Sequence, residues 1–155
     1  MLKTEVQFTP MAIHIRPACD SDYDWLYALN QEVYQDLIPL EFGYWDVEEE
    51  LALFQKAWQS QNISLIIETG ERAGMFILEE QDDYLWLAEI QITAMYQNKG
   101  IGTKVIQQLL AKARQQQTSL RLRVLHANHR AYQLYQRLGF RHIDSAKHHH
   151  VMQAN

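Results

Sequence analysis

The sequence predicts an α+β chain built on a mixed, mostly antiparallel sheet of about six to seven strands, with about four helices against it. Two observations carry that expectation. Three strand-like runs follow one another over residues 63–69, 73–80 and 84–93, separated only by short turn segments, as in an antiparallel meander. The apolar period then becomes helical at Gly100 and returns to alternation at Leu120, which makes a strand–helix–strand crossover over 85–126. A chain of 155 residues with 47% hydrophobic content can bury one core of ordinary size, so a single domain over 1–155 is expected.

Residues 12–17 (AIHIRP) alternate apolar and polar before a proline, as a short first strand does, and Ser21 is expected to cap a helix running to about Leu37. A connecting loop with Pro39 and Gly43 follows. Asp46 is a cap for a second helix whose first turn holds Glu48, Glu49 and Glu50, where carboxylates meet the positive end of the helix dipole; it ends near Ser60. The meander comes next, turning at Gly70 and at 81–83. Beyond Gly100, Ile101, Val105, Ile106, Leu109, Leu110 and Ala113 recur at helical spacing and form one apolar face. In LRLRVLH (120–126), Leu120, Leu122 and Val124 take one face of a strand and Arg121 and Arg123 the other. Asn128 then caps a short helix expected to bury Ala131, Leu134, Tyr135 and Leu138 and to stop at Gly139, leaving 140–155 for one or two strands.

Composition excludes several classes of function. The formal charge is −5 and the basic residues are scattered, so no cationic surface for nucleic acid is expected. Cys19 is the only cysteine, which rules out an intrachain disulfide scaffold and fits a reducing compartment. The first eleven residues interrupt their apolar positions with Lys3, Glu5, Gln7 and Pro10, leaving no stretch of signal or membrane-span length; no membrane partner is expected, and the cytoplasm is the default location.

The segment Gln97-Asn98-Lys99-Gly100-Ile101-Gly102-Thr103 joins the end of a strand to the start of a helix. Backbone N–H groups there lack intrahelical partners, and glycine keeps side chains from holding a ligand away, so a phosphate or pyrophosphate fits. On residues alone, a purely structural glycine turn explains the same letters. The Walker pattern and the dinucleotide fingerprint are both absent.

This segment resembles the coenzyme loop of the GNAT superfamily of N-acetyltransferases, Q/RxxGxG/A after the fourth strand, with Gln97, Gly100 and Gly102 in place. Asn128, Ala131, Tyr135, Gly139 and Phe140 likewise match the family's NxxAxxxYxxxGF helix, one helix and one strand further on. The resemblance covers roughly 85–140; residues 38–60 carry no family signature.

It implies acetyl-CoA as cosubstrate, with no metal, and direct transfer of the acetyl group to a small-molecule or peptide amine. The pantetheine arm would lie against main chain near Ile92 and Thr93. The pyrophosphate would rest on the amides of Asn98, Lys99, Gly100, Ile101, Gly102 and Thr103, with Gln97 holding the loop. Ala94 stands where many relatives have proline. Asn128 is either a contact to the coenzyme arm or simply a helix cap. Tyr135 matches the tyrosine that protonates the departing thiolate, whereas Tyr132, one turn earlier, does not align. Glu89 is the candidate base, since relatives often place an acidic residue on this strand; the alternative is a surface carboxylate or ion-pair partner. A main-chain N–H near Ile92 would stabilise the oxyanion. The rival to an enzyme is a CoA-binding regulatory module without turnover. A homodimer would cover the sheet edges.

Other features have plainer explanations. His148, His149 and His150 alternate faces on a strand and so do not converge on a metal; an exposed edge strand or a pocket wall is expected, with one histidine lining the acceptor opening. His126 and His129 take no role, and Cys19 is expected to be unreactive. Glu48–Glu50 serve the helix dipole or attract a cationic acceptor, and Tyr44 and Trp45 are acceptor-site aromatics or a helix staple.

Overall fold

The computed structural model describes residues 12–155, so the expectation for the first eleven residues lies outside it. Among the described residues no helix is long and apolar enough to cross a membrane. Seven strands form one sheet in the order β1-β2-β3-β4-β5-β7-β6. They are β1 (Ile13–Pro17), β2 (Ile63–Glu68), β3 (Glu71–Glu80), β4 (Tyr84–Ile92), β5 (Ser119–Leu125), β6 (Arg141–Ser145) and β7 (His149–Ala154). Every neighbouring pair is antiparallel except β4–β5, which the crossover makes parallel.

Helices α1 (Tyr23–Tyr34) and α3 (Val47–Gln59) cover one face of the sheet, around Leu26, Leu29, Phe54, Leu65, Met75 and Ile77. On the other face lie α4 (Ile101–Gln115) and α5 (His129–Arg137). All six apolar positions expected on α4 are buried. On α5 only Tyr135 is buried; Ala131, Leu134 and Leu138 are half-buried at the rim of the same core.

The start of the first helix differs from expectation. Ser21 caps nothing; a 3-10 turn at Asp20–Asp22 precedes α1, and Asp22 accepts the Cys19 N–H at 2.8 Å. Asp22 is fully buried, bound by both Arg16 nitrogens (2.7 and 2.9 Å) and by Arg72 Nε at 2.9 Å. One carboxylate thus ties α1 to β1 and β3, and the Arg16 guanidinium, with the Cys19 and Arg72 donors, holds it below the usual carboxylate range.

The connecting loop is also more ordered than its composition suggests, because Leu37–Phe42 forms a further short helix, α2. Pro39 sits in its first turn, where the missing N–H has no intrahelical partner to lose, and Gly43 ends it in the left-handed conformation (φ 83°). Asp46 caps α3 as expected, accepting from Glu48 and Glu49 N–H at 2.9 and 3.1 Å.

Strand β4 carries one residue too many. Ile77 pairs with Glu89 and Leu78 with Leu87, so Ala88 bulges out of the ladder. The bulge exchanges the faces: Leu85 and Leu87 point to the α4 side before it, Ile90 and Ile92 after it. Glu89 and Gln91 are thereby turned toward α1. The bulge also follows directly on Leu87↔Leu122, the last of only four β4–β5 pairs, and from there the two strands part.

Gly74 on β3 sits where a Cβ would lie inside the contact radius of the Gln91 carbonyl oxygen, with Ile92 Cδ1 2.9 Å away. Gly74→Ala is expected to cost about 1–3 kcal/mol as the ladder is pushed apart, read from denaturant midpoints. Gly102→Ala, whose Cβ would rest 3.7 Å from Ile92, is expected to unfold at the wild-type midpoint to within about 1 kcal/mol.

Candidate active site

The gap between β4 and β5 opens into a cavity of about 330 Å³. Its floor is sheet, from Ala88 to Gln91 on β4 and Arg123 to Leu125 on β5, while α1, α2 and α3 supply the walls. Leu26, Val33, Leu53, Phe54, Met75 and Ile77 make most of the interior apolar, and Glu89, Tyr135, Asn128, Arg123 and His149 bring polar groups to it.

Glu89 is held by a residue that sequence reasoning missed. The Tyr34 hydroxyl, at the last turn of α1, lies 2.6 and 2.7 Å from the two Glu89 carboxylate oxygens and donates to them. Gln91 Nε2 approaches at 3.4 Å and is itself anchored by Asn30 Oδ1 at 3.0 Å. Burial pushes the Glu89 carboxyl above its ordinary value, against the Tyr34 and Gln91 hydrogen bonds that favour the charged form. Burial and the Glu89 charge push the Tyr34 phenol far above its ordinary value, so it stays a donor. Tyr34 stands 55 residues away in sequence, and its only local signal is a tyrosine at the polar end of an amphipathic helix.

Tyr135 reaches the same cavity from α5 on the opposite side of the sheet. Burial and then the Glu89 charge raise its phenol to about 12. Asn128 serves two surfaces at once: its Oδ1 accepts the Ala131 N–H at 3.2 Å as a cap, and its amide lines the cavity with two donors to spare. Tyr132 packs its ring 4.9 Å from His150.

The segment after β4 is fastened from several sides. Gln97 Nε2 donates to the Ile92 carbonyl at 2.9 Å. The Thr93 N–H is taken by Ala73 O at 2.9 Å, so this amide serves the sheet rather than the gap. Glu32 of α1 accepts from Thr93 Oγ1 (3.1 Å) and from the Ala94 N–H (2.8 Å), which fixes the strand end without a proline at 94. Asn98 and Gly100 adopt left-handed backbone (φ 63° and 79°), and Gly100 is the residue from which α4 departs. Asn98 Oδ1 accepts from Arg130 of α5, and Lys99 Nζ lies 5.3 Å over the Tyr96 ring. The exposed loop therefore presents the first N–H groups of α4, at Ile101, Gly102 and Thr103, beside the mouth of the gap. A Cβ at Gly102 would rest in ordinary contact with Ile92 at 3.7 Å.

Helix α2 roofs the far end through Leu37, Ile38 and Phe42. Glu41 Oε1 accepts the Ala127 N–H at 2.9 Å, its Oε2 lies 3.2 Å from His148 Nδ1, and the Phe42 ring stacks 4.0 Å from the His148 ring. The three histidines do diverge, but β7 lies between β5 and β6 and is not an edge, because the last hairpin folds β7 inward against β5. His148 latches α2, His149 lines the cavity and His150 stacks on His126 at 4.3 Å. No group of three metal-ligating side chains comes together among the described residues. Tyr44, Glu49 and Glu50 line the outer cavity, with Tyr44 Oη donating to Glu49 at 3.4 Å; Trp45 is not part of the lining. Cys19 is exposed at the start of the 3-10 turn and does not line this cavity.

Residues 30–140 match the model of the Acetyltransferase (GNAT) family. No curated protein matches the chain by sequence. Among solved structures, the PaiA N-acetyltransferase of Thermoplasma acidophilum, in complex with coenzyme A, superposes with a TM-score of 0.74 at 17% identity over 94% of this chain and 99% of that one. An N-acetyltransferase of Staphylococcus aureus Mu50 gives 0.67 at 20% identity, covering 91% and 100%. The ribosomal-protein-S18-alanine N-acetyltransferase of Escherichia coli gives 0.65 at 18% identity, covering 92% and 93%. At these identities the likeness is one of fold.

Because the Tyr34 hydroxyl favours the ionised form of Glu89, Tyr34→Phe is expected to move the Glu89 titration to higher pH, followed by carbon NMR of labelled glutamate. An unchanged midpoint would mean that the phenol does not govern this carboxyl.

Proposed function

This chain belongs to the GNAT acetyltransferase family, and we propose that it transfers the acetyl group of acetyl-CoA directly to an amine. The observation that carries the proposal is the placement of Glu89 and Tyr135 in one cavity, at the point where β4 and β5 part and beside the glycine loop that opens α4. The residues present fit the coenzyme. The gap offers a slot between strands, and the α4 N-terminus, which departs from Gly100 in the left-handed conformation, offers unpaired N–H groups to a pyrophosphate.

Bound acetyl-CoA supplies an activated thioester carbonyl. The protein supplies the rest. Glu89, ionised and oriented by Tyr34, accepts a proton from the incoming ammonium, directly or through a water, so that a nitrogen lone pair becomes available. The N–C bond then forms as the C–S bond breaks. Tyr135 Oη, protonated over the whole physiological range, donates to the departing sulfur and regains its proton as the new amide loses its second one. Main chain at the end of β4, near Ile92, is the candidate donor to the carbonyl oxygen. Asn128, which caps α5 through Oδ1, would offer its amide donors to the coenzyme arm, and Gln97 keeps the loop in place.

Thermal unfolding with and without acetyl-CoA tests the premise. Saturation at about a hundredfold excess over Kd is expected to add about 2.7 kcal/mol of stability. The effect should be lost when Gly100 and Gly102 both carry bulky side chains. Tyr135→Phe is expected to keep coenzyme affinity and lose about 10²-fold or more in turnover, measured by release of free thiol; unchanged turnover would remove Tyr135 from the mechanism. If no amine in a broad panel releases thiol although the coenzyme binds, the chain is a CoA-binding module rather than an enzyme.

The pH dependence follows from the two shifts. Glu89 works ionised and its pKa lies above the ordinary 4.5, so kcat/KM is expected to fall as pH drops through that raised value. Tyr135 works protonated and its pKa is about 12, so it adds no alkaline loss below that region. Glu89→Gln should abolish the acid limb, whereas Tyr135→Phe should leave it in place.

A further inference from the structure

Two arginines leave β5 on the same face, two residues apart, and only one of them has a protein partner among the described residues. Arg121 donates through Nε to Gln153 Oε1 at 2.6 Å and lies 4.1 Å over the Tyr84 ring. Arg123 lines the cavity with its side chain exposed to solvent and makes neither a hydrogen bond nor an ion pair within 4.0 Å among the described residues. It is the first residue of β5 beyond Leu122, the last partner of β4, so it stands at the edge of the gap. The nearby carboxylate does not claim it, because Glu89 has both oxygens turned to Tyr34.

We propose that Arg123 is an anion receptor within the acceptor site, and that the acceptor is a free α-amino acid whose carboxylate binds Arg123 while its amino group faces Glu89. This proposal rests on the acetyl-transfer reading and names the acceptor class for it. Among the described residues, Arg123 is the only arginine or lysine lining the cavity. The other basic group there, His149, is no substitute, since burial and then the Arg123 charge push its pKa down to about 4 and leave it neutral at pH 7. An unpaired guanidinium is a fork of donors matched to a carboxylate, and it opposes any acceptor that is only cationic.

The spacing of charges selects an amino acid head over a longer amino-carboxylate. Glu89 is the second residue of β4 past Leu87 and Arg123 the first of β5 past its partner Leu122, and both line the cavity on the face of the sheet away from the α4 core. Glu50 lines the cavity from α3, on a different wall. A positive and a negative protein group therefore stand within two residues of the point where the strands part, complementary to an ammonium and a carboxylate on one carbon. The apolar wall of Leu26, Leu53, Phe54, Met75 and Ile77 is left for the side chain, in a cavity of about 330 Å³.

The test is binding to the protein saturated with coenzyme A, by calorimetric titration of alanine, leucine, phenylalanine, lysine and glutamate, each against its α-amide. At least one amino acid is expected to bind about tenfold or more tightly than its amide. Arg123→Gln should reduce that preference to within about threefold, and Arg123→Lys should restore part of it. The proposal is overturned if the amides bind as well as the acids, or if no amino acid binds. It is equally overturned if Arg123→Gln weakens acid and amide alike and only moves the acid limb of the pH profile, because Arg123 would then serve Glu89. Loss of thiol release with the binding preference intact would count against acetyl transfer and leave the Arg123 site standing.

Discussion

The extra residue at Ala88 is the constraint on which the rest of the site depends. A regular β4 would keep pairing with β5 and would point residue 89 into the α4 core alongside Leu85 and Leu87, where a carboxylate has no partner. The bulge bends the strand away and inverts its faces, so a single backbone irregularity opens the gap and turns Glu89 toward Tyr34. It also leaves main-chain groups on the gap side of two strands without a ladder partner. Such groups call for water or a ligand, and this is how a sheet becomes a binding slot.

Two acidic side chains show how far environment decides role. Asp22 is buried among two guanidiniums and a backbone N–H, which lock it in the charged form as a structural pin. Glu89 is buried against a phenol and an amide, neutral donors that orient a carboxylate without fixing its charge. Desolvation then prevails and its pKa rises. A group meant to exchange protons needs the second environment, and it gets it from α1 rather than from its own strand.

Much of this was legible in the sequence. In YLWLAEIQI the split of Glu89 and Gln91 from Ile90 and Ile92 was legible, whereas the bulge at Ala88 was not, because Tyr84 and Trp86 mask the switch from Leu85 and Leu87 to Ile90 and Ile92. The α4 stripe, the Asp46 and Asn128 caps and the turn at Gly70 each depend on residues within a few positions of one another, and each has the form the local pattern requires. Helix α2 was not legible because Pro39 reads as a breaker unless its place in a first turn is known. Tyr34 was missed for a different reason: its partner is set by how α1 crosses the sheet, and no spacing along the chain encodes that crossing. The same holds for Glu41, His148 and the inward position of β7.

The Glu41 latch joins residues 86 and 107 positions apart, to Ala127 and His148. Contacts of such long sequence separation are slow to form and lack value until both ends are in place. Helix α2 is too short to persist alone, so the roof settles only once β7 has paired with β5. During synthesis the earlier strands and α4 can consolidate first, with the slot still uncovered. Assembly order thus makes the cavity the last part of the molecule to mature, and a chain stalled before its final hairpin would have a sheet and a core but a cavity without its α2 roof.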